Sequence, residues 1–288
     1  MPSTTPDASS KNTRRRRPWR RTIGSTIRTG IIPIIGISTT TITTTITIMT
    51  TITDTSRPPT TTITLRIRAD ILAGNAARAS AVRARLDRAG VLALNLMSSP
   101  GAGKTRLLEV TAAAFGARRM AVIEGDLETE NDARRLRGRG VRAEQITTGW
   151  GCHLDARMID RGLDRLDLDG VAVVFVENVG NLVCPADFDL GQHLNVVLLS
   201  VTEGDDKPEK YPPIFHCADL VLITKTDLLG ALDDFDLARA EAAIGRVRPG
   251  VEILRCSARS GDGMDAWRTW LEARLADLRG RADGARCE

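Results

Sequence analysis

The sequence predicts an α/β protein built on one doubly wound, mostly parallel sheet with helices on both faces. Three observations lead there. Runs that are apolar at nearly every position, such as "VLALNLMS" and "VAVVFVEN", alternate with stretches of helical spacing, and strands without apolar/polar alternation belong to sheets covered on both sides. A glycine-bearing turn, "SPGAGKT", joins the first of these strands to a helical run. Near Leu65 the composition changes abruptly from threonine and isoleucine to alanine, arginine, leucine, valine and aspartate.

That change divides the chain. Residues 1–65 are expected to be a disordered low-complexity leader, 66–280 a single folded domain, and 281–288 a disordered tail. Of the chain's 40 Lys and Arg and 36 Asp and Glu, residues 1–64 hold nine and two, leaving 31 and 34 in the body. The body is therefore not basic, and with aromatics at 3% it lacks the stacking platforms of a single-strand binder, so no nucleic acid is expected as a partner. "RRRRPWRR" before "GIIPIIGIS" has the order of a targeting signal, but Pro33 and the threonines that follow do not fit one. Threonine also dominates the uncharged run from Thr29 to Thr53, which argues against a membrane span. The five cysteines are scattered and odd in number, without a Cys-x-x-Cys pair, which suits a reducing cytoplasm.

Within the domain, Ile71, Leu72, Val82 and Leu86 have helical spacing. "VLALNLMS" (91–98) reads as a buried strand and "RLLEVTAAAF" as the helix after the turn. Strand-like runs follow in "MAVIEGD", "AEQITT", "VAVVFVEN", "NVVLLSV", "DLVLITKTD" and "VEILRCSA", with helical patterns in "DLARAEAAIGRV" and "MDAWRTWLEARLADL". No internal repeat interrupts them.

The chemistry gathers at the strand ends. Strand, glycine turn and helix make "SSPGAGKT" a phosphate-binding loop of the P-loop NTPase kind: Pro100, Gly101, Ala102 and Gly103 shape the turn, Lys104 reaches the β and γ oxygens, and Thr105 offers a hydroxyl to Mg²⁺. Ser98 stands where the usual pattern has its first glycine. In "TKTD", Asp227 can accept hydrogen bonds from the N1 and N2 donors of guanine while the Lys225 stem covers the ring; adenine lacks that donor pair, so GTP is expected. Thr224 replaces the common asparagine, and a charged strand end is the alternative. "CSARSG" places Ser257 and Ala258 where a backbone amide reaches the guanine oxygen. Asp126 in "VIEGD" is positioned for Mg²⁺, and Glu177 in "FVENVG" for the γ-phosphate, with Gly180 free to move its amide toward it. Lys104, Asp126 and Glu177 are the candidate catalytic residues; for the two carboxylates the alternative is a helix cap.

Cys152 and His153 are adjacent in "TTGWGCHLDA", and Cys184 follows the Glu177 loop. Thiolate and imidazole suit Ni²⁺ and Zn²⁺. Three ligands are too few for a closed tetrahedral site, which points to a site shared between subunits or an open, transferable one, against the alternative of unrelated buried cysteines. Cys217 and Cys256 read as core and Cys287 as a tail thiol.

Taken together these motifs resemble the hydrogenase nickel incorporation GTPases, the HypB family. The similarity runs from about Arg68 through Leu278 and includes "DILAGNAARA", "LNLMSSPGAGKT", "TGWGCHLDA", "VENVGNLVCPA", "LSVTEGDDKPEKYP" and "SGDGMDAW". The resemblance implies a cytoplasmic, slow, switch-type GTPase metallochaperone that forms a homodimer with GTP and metal. Its partners would be the large subunit of [NiFe]-hydrogenase and other nickel-insertion accessory proteins. It also implies that Cys152, His153 and Cys184 are metal ligands. The urease nickel-insertion GTPases are a rival, but they carry Cys-Pro-His where this chain has Cys152 directly before His153. A small-molecule ATP-dependent kinase would have no use for Asp227, and a nickel store would need more than the three histidines present.

Family members often carry an N-terminal Cys-x-x-Cys-Gly-Cys segment or a histidine-rich tract, and this chain has neither. Residues 39–64 hold instead 15 Thr and 5 Ile among 26, with Met49 inside. Histidine codons CAC and CAT read one base late become ACC and ATC, threonine and isoleucine. CAT before a G becomes ATG, and the aspartate codons shift to the same products. The segment therefore reads as an out-of-frame histidine- and aspartate-rich tract, against a genuine low-complexity leader. Shifting the reading frame of the coding DNA by one base is expected to reveal histidine and aspartate codons across residues 39–64; any other composition would refute the frameshift.

Overall fold

The computed structural model describes residues 60–126, 130–149, 151 and 153–284. Most of the leader, the last four residues and Cys152 lie outside these. The first described element, α1 (Thr60–Ala89), begins inside the stretch that composition assigns to the leader, and the last, α8 (Met264–Gly284), runs into the expected tail. Once nucleated, a helix gains a hydrogen bond with each added residue, so it outruns the compositional boundary where its packing begins. Val82 and Leu86 of α1 are buried, whereas Ile71 is 56% exposed.

Seven strands form one sheet: β1 (Leu92–Ser98), β2 (Met120–Asp126), β3 (Arg142–Thr147), β4 (Val173–Glu177), β5 (Leu194–Ser200), β6 (Leu220–Thr224) and β7 (Glu252–Arg255), in the order β3-β2-β4-β1-β5-β6-β7. Every pairing is parallel. One face of the sheet (Leu94, Leu96, Val122, Phe175, Leu198) is covered by α2 (Lys104–Thr111), α3 (Asn131–Gly138) and α8 through Leu107, Leu136, Trp267 and Leu271. On the other face, Ala93, Ile123, Val174 and Val176 meet Val82 and Leu86 of α1 and Ile159 and Leu163 of α4 (Ala156–Asp164). Beside that cluster, Met97, Val197 and Val221 meet Ile214 and Phe215 of α6 (Pro212–His216) and Ile244 of α7 (Leu237–Val247). A short α5 (Lys207–Lys210) precedes α6. The fully buried Asn95 lies on β1 between Ala93 of one cluster and Met97 of the other. No described helix is long and apolar enough to cross a membrane.

The helix after the phosphate loop starts two residues earlier than its pattern suggests and loses α pitch after Thr111, passing into a π turn at Ala112–Gly116. The Thr111 hydroxyl donates back to the Leu107 carbonyl (2.7 Å) and accepts the indole N–H of Trp267 (2.9 Å); such back-bonding bends helices. Trp267 is fully buried and stacks on Trp270, with centroids 5.6 Å apart. Trp267→Ala should therefore lower stability by about 3–5 kcal/mol. Urea unfolding checks this, and a loss below about 1 kcal/mol would contradict the role of α8 in the core.

Candidate nucleotide site and metal loop

Gly101 and Gly103 adopt φ of 76° and 96°, which turns the chain from β1 into α2. Unlike α4 and α7, whose first turns are capped by Asp155 and Asp236, α2 has no side-chain cap and no acidic residue in its first turn. Its N–H groups are left for an anion. Lys104 is buried, and its ammonium donates to the Ser98 hydroxyl at 3.0 Å, so the serine at the first loop position holds the lysine. A cavity of about 430 Å³ lies over the loop and reaches Glu124, Asp126, Asp132, Arg135 and Gly180.

The β2–β4 register sets Glu124 beside Glu177. Glu177 Oε1 accepts the Thr105 hydroxyl at 2.9 Å, tying the end of β4 to the start of α2. Glu124, Asp132 and Glu177 bring carboxylate oxygens within 4.8 Å of one another. Burial, then the neighbouring Glu177, pushes the Glu124 carboxyl far up, and burial raises Glu177 against the pull of Lys104 and Thr105. One oxygen of each, Oε2, is buried without a hydrogen-bond partner among the described residues. Orphaned carboxylate oxygens beside a phosphate cavity fit a divalent cation such as Mg²⁺. Asp126 ends β2 on the cavity wall, where its carbonyl accepts the Thr148 N–H, but it is not one of the three grouped carboxylates. Sequence reasoning missed Glu124 and Asp132. Glu124 had a signal, a charge inside the apolar run "MAVIEGD"; Asp132, on a polar helix, had none. Asp132 and Glu109 together hold Arg135, at 2.9 and 3.2 Å.

A second cavity, about 240 Å³, shares Gly103 and Arg106 with the first and is lined by Lys225, Asp227, Ser257 and Ala258. Asp227 Oδ1 accepts the Ser257 hydroxyl at 2.6 Å, which fixes the carboxylate on the cavity wall. Lys225 has φ of 59°, the one positive value at a non-glycine among the described residues. Such a backbone costs about 1–2 kcal/mol. Thr224 Oγ1 donates to the Ala102 carbonyl at 2.9 Å, so the threonine in place of the common asparagine braces the phosphate loop.

The ring of His153 stacks on Phe188, with centroids 3.9 Å apart, just past the turn Cys184–Asp187 that Cys184 opens. The structure thus sets His153 against the segment carrying Cys184. Burial lowers the His153 pKa despite Asp155 and Asp187, favouring the neutral imidazole that binds metals. Cys256 is buried in the core as expected, and Cys217 is half-buried; burial pushes both thiols up to about 11.

A parallel sheet with a phosphate loop at its centre and a strand-end carboxylate beside it defines a P-loop nucleotide-binding protein. Residues 92–255 match the CobW/HypB/UreG nucleotide-binding domain. The chain is 55% identical over 225 residues to the hydrogenase maturation factor HypB of Azotobacter vinelandii, covering 77% of this chain and 74% of that one. Among solved structures, HypB from Helicobacter pylori in complex with nickel is similar at 40% identity and a TM-score of 0.68, over 71% of this chain and 96% of that one. HypB from Archaeoglobus fulgidus is similar at 39% and 0.66, over 71% and 100%. The chain belongs to the hydrogenase maturation factor HypB family.

The raised Glu124 pKa has a stability consequence. The folded state holds a proton that the unfolded chain releases above about pH 4.3, so this residue costs stability progressively as pH rises above that value. Glu124→Gln, whose amide supplies a permanent donor, should stabilise the nucleotide-free protein at pH 8 by on the order of 1–3 kcal/mol. The gain should fade toward pH 4. Urea midpoints of the two proteins across this range check it, and a pH-independent difference would contradict it.

Proposed function

We propose that this chain is a GTP-hydrolysing metallochaperone that assists nickel insertion into [NiFe]-hydrogenase. It acts in the cytoplasm as a homodimer, with the hydrogenase large subunit and other nickel-insertion accessory proteins as partners. The observation that carries the reading is that two neighbouring cavities share Gly103 and Arg106 in their walls, with Asp227 lining one and Glu177 the other. The Asp227 cavity suits a base and the Glu177 cavity the phosphates.

In this reading the Asp227 carboxylate, held by Ser257, takes the guanine N–H groups, and Ala258 offers its amide to the guanine oxygen. Lys104 and the uncapped start of α2 hold the phosphates. Thr105 and Asp126 would hold Mg²⁺, which would supply charge neutralisation at the phosphates, with Glu177 near the γ-phosphate. Gly180 approaches the loop so closely that a Cβ there would lie 2.8 Å from Pro100 Cα, which leaves its amide able to approach a γ-phosphate. Nickel or zinc is the cargo, taken by Cys152, His153 and Cys184. Val183, beside Cys184, is 60% exposed, an apolar contact suited to a second copy of the same loop. Two sets of three ligands would then meet across the dimer, completing a site that one copy cannot close.

Asp227→Ala in the full chain should weaken GTP binding by about 2–4 kcal/mol, because buried guanine donors lose a charged acceptor. Calorimetric titration with GTP and ATP checks this. Equal affinity for the two nucleotides in the unaltered protein would overturn the assignment.

A further inference from the structure

Consecutive residues of a strand point to opposite faces of the sheet. At the end of β4, Glu177 lies on the α2 face, bonded to Thr105. Asn178 comes next; its N–H still bonds the Leu96 carbonyl at 3.1 Å, and its side chain is buried on the other face. There Asn178 Oδ1 accepts two backbone N–H groups, from Val179 at 3.0 Å and from Leu154 at 3.2 Å. Leu154 directly follows His153.

The end of β2 repeats this arrangement. Glu124 faces the phosphate site, and on the opposite side a Cβ placed on the adjacent Gly125 would lie 2.7 Å from Leu154 Cδ1. Leu154, fully buried, is thus pinned by its amide to one strand end and by its side chain to another, each next to a carboxylate of the phosphate site. Asn178 itself has little freedom. Its Nδ2 donates to Asn95 Oδ1 at 3.2 Å, Asn95 Nδ2 donates to Asn195 Oδ1 at 3.2 Å, and Gln192 Nε2 donates to the same oxygen at 3.0 Å. Rotating the Asn178 side chain alone would leave buried polar groups unpaired, each at a cost of about 1–3 kcal/mol. The amide therefore moves with the 177–180 backbone.

We propose that Asn178, through the Leu154 N–H, is the positioning residue that makes metal affinity at the His153 segment depend on the bound nucleotide. This rests on the GTP and metal reading above. Glu177 and Gly180 respond to the phosphates on one face, and Asn178 transmits their displacement to the other.

The test titrates the full chain with Ni²⁺ in the presence of Mg²⁺ and either GDP or a non-hydrolysable GTP analogue. The unaltered chain should show a ratio of Ni²⁺ affinities of about five-fold or more between the two states. In Asn178→Ala the ratio should fall to about one, while analogue affinity and Ni²⁺ affinity with GDP each stay within about three-fold. A ratio that persists in the variant overturns the proposal. Because Asn178 is buried, hydrogen exchange of the Leu154 amide in the unaltered chain gives a second arm. Its protection should change when the analogue binds, and identical exchange in both states overturns the proposal. An unaltered chain that binds neither GTP nor Ni²⁺ overturns the parent reading and this one with it. Binding of both, with equal Ni²⁺ affinity in the two states, overturns this one alone.

Discussion

Because β1 pairs with β4 from Leu92 opposite Val173 to Leu96 opposite Glu177, the strand that enters the phosphate loop and the strand that ends in the key carboxylate are locked in one register. A slip by one residue would turn every side chain to the other face. Glu177 would then leave Thr105, and Asn178 would leave Leu154. The register is held by apolar residues buried on both faces, Leu94 and Phe175 on one side, Ala93 and Val174 on the other. Site geometry thus follows from core packing.

Two kinds of polar group survive inside this core, and they have opposite energetics. The Glu124 and Glu177 carboxyls lie side by side, and burial, with a hydrogen bond between the two, keeps Glu124 protonated longer than an ordinary acid. Asn95, Asn178 and Asn195 are instead satisfied by one another. The first arrangement changes with pH. The second resists rotation of any one side chain by itself.

The parallel α/β sheet, the loop at Lys104 and the clustering of Lys225, Asp227, Ser257 and Ala258 were legible because local sequence dictates them: apolar runs make doubly covered strands, and glycines at positive φ make the turn. Helix ends were less so, since α1 and α8 extend past the compositional breaks and Thr111 ends α pitch through a contact with distant Trp267. The partnership of Glu124 with Asp132 and Glu177 depends on bringing a strand and the following helix together, which no linear spacing reveals. "LALNLMS" and "VENVG" each displayed an asparagine where an apolar strand was expected, yet only the fold shows that Asn95 and Asn178 bond to each other.

The chain of amides through the sheet also constrains how this sequence can drift. Asn178, Asn95 and the Gln192–Asn195 pair come from three separate segments, and each is the partner of the next. Replacing any one of them leaves a neighbouring amide short of a partner, at a cost of about 1–3 kcal/mol. The cost of a change at one position therefore depends on what stands at the next, and the effects of substitutions along this chain of amides should not add.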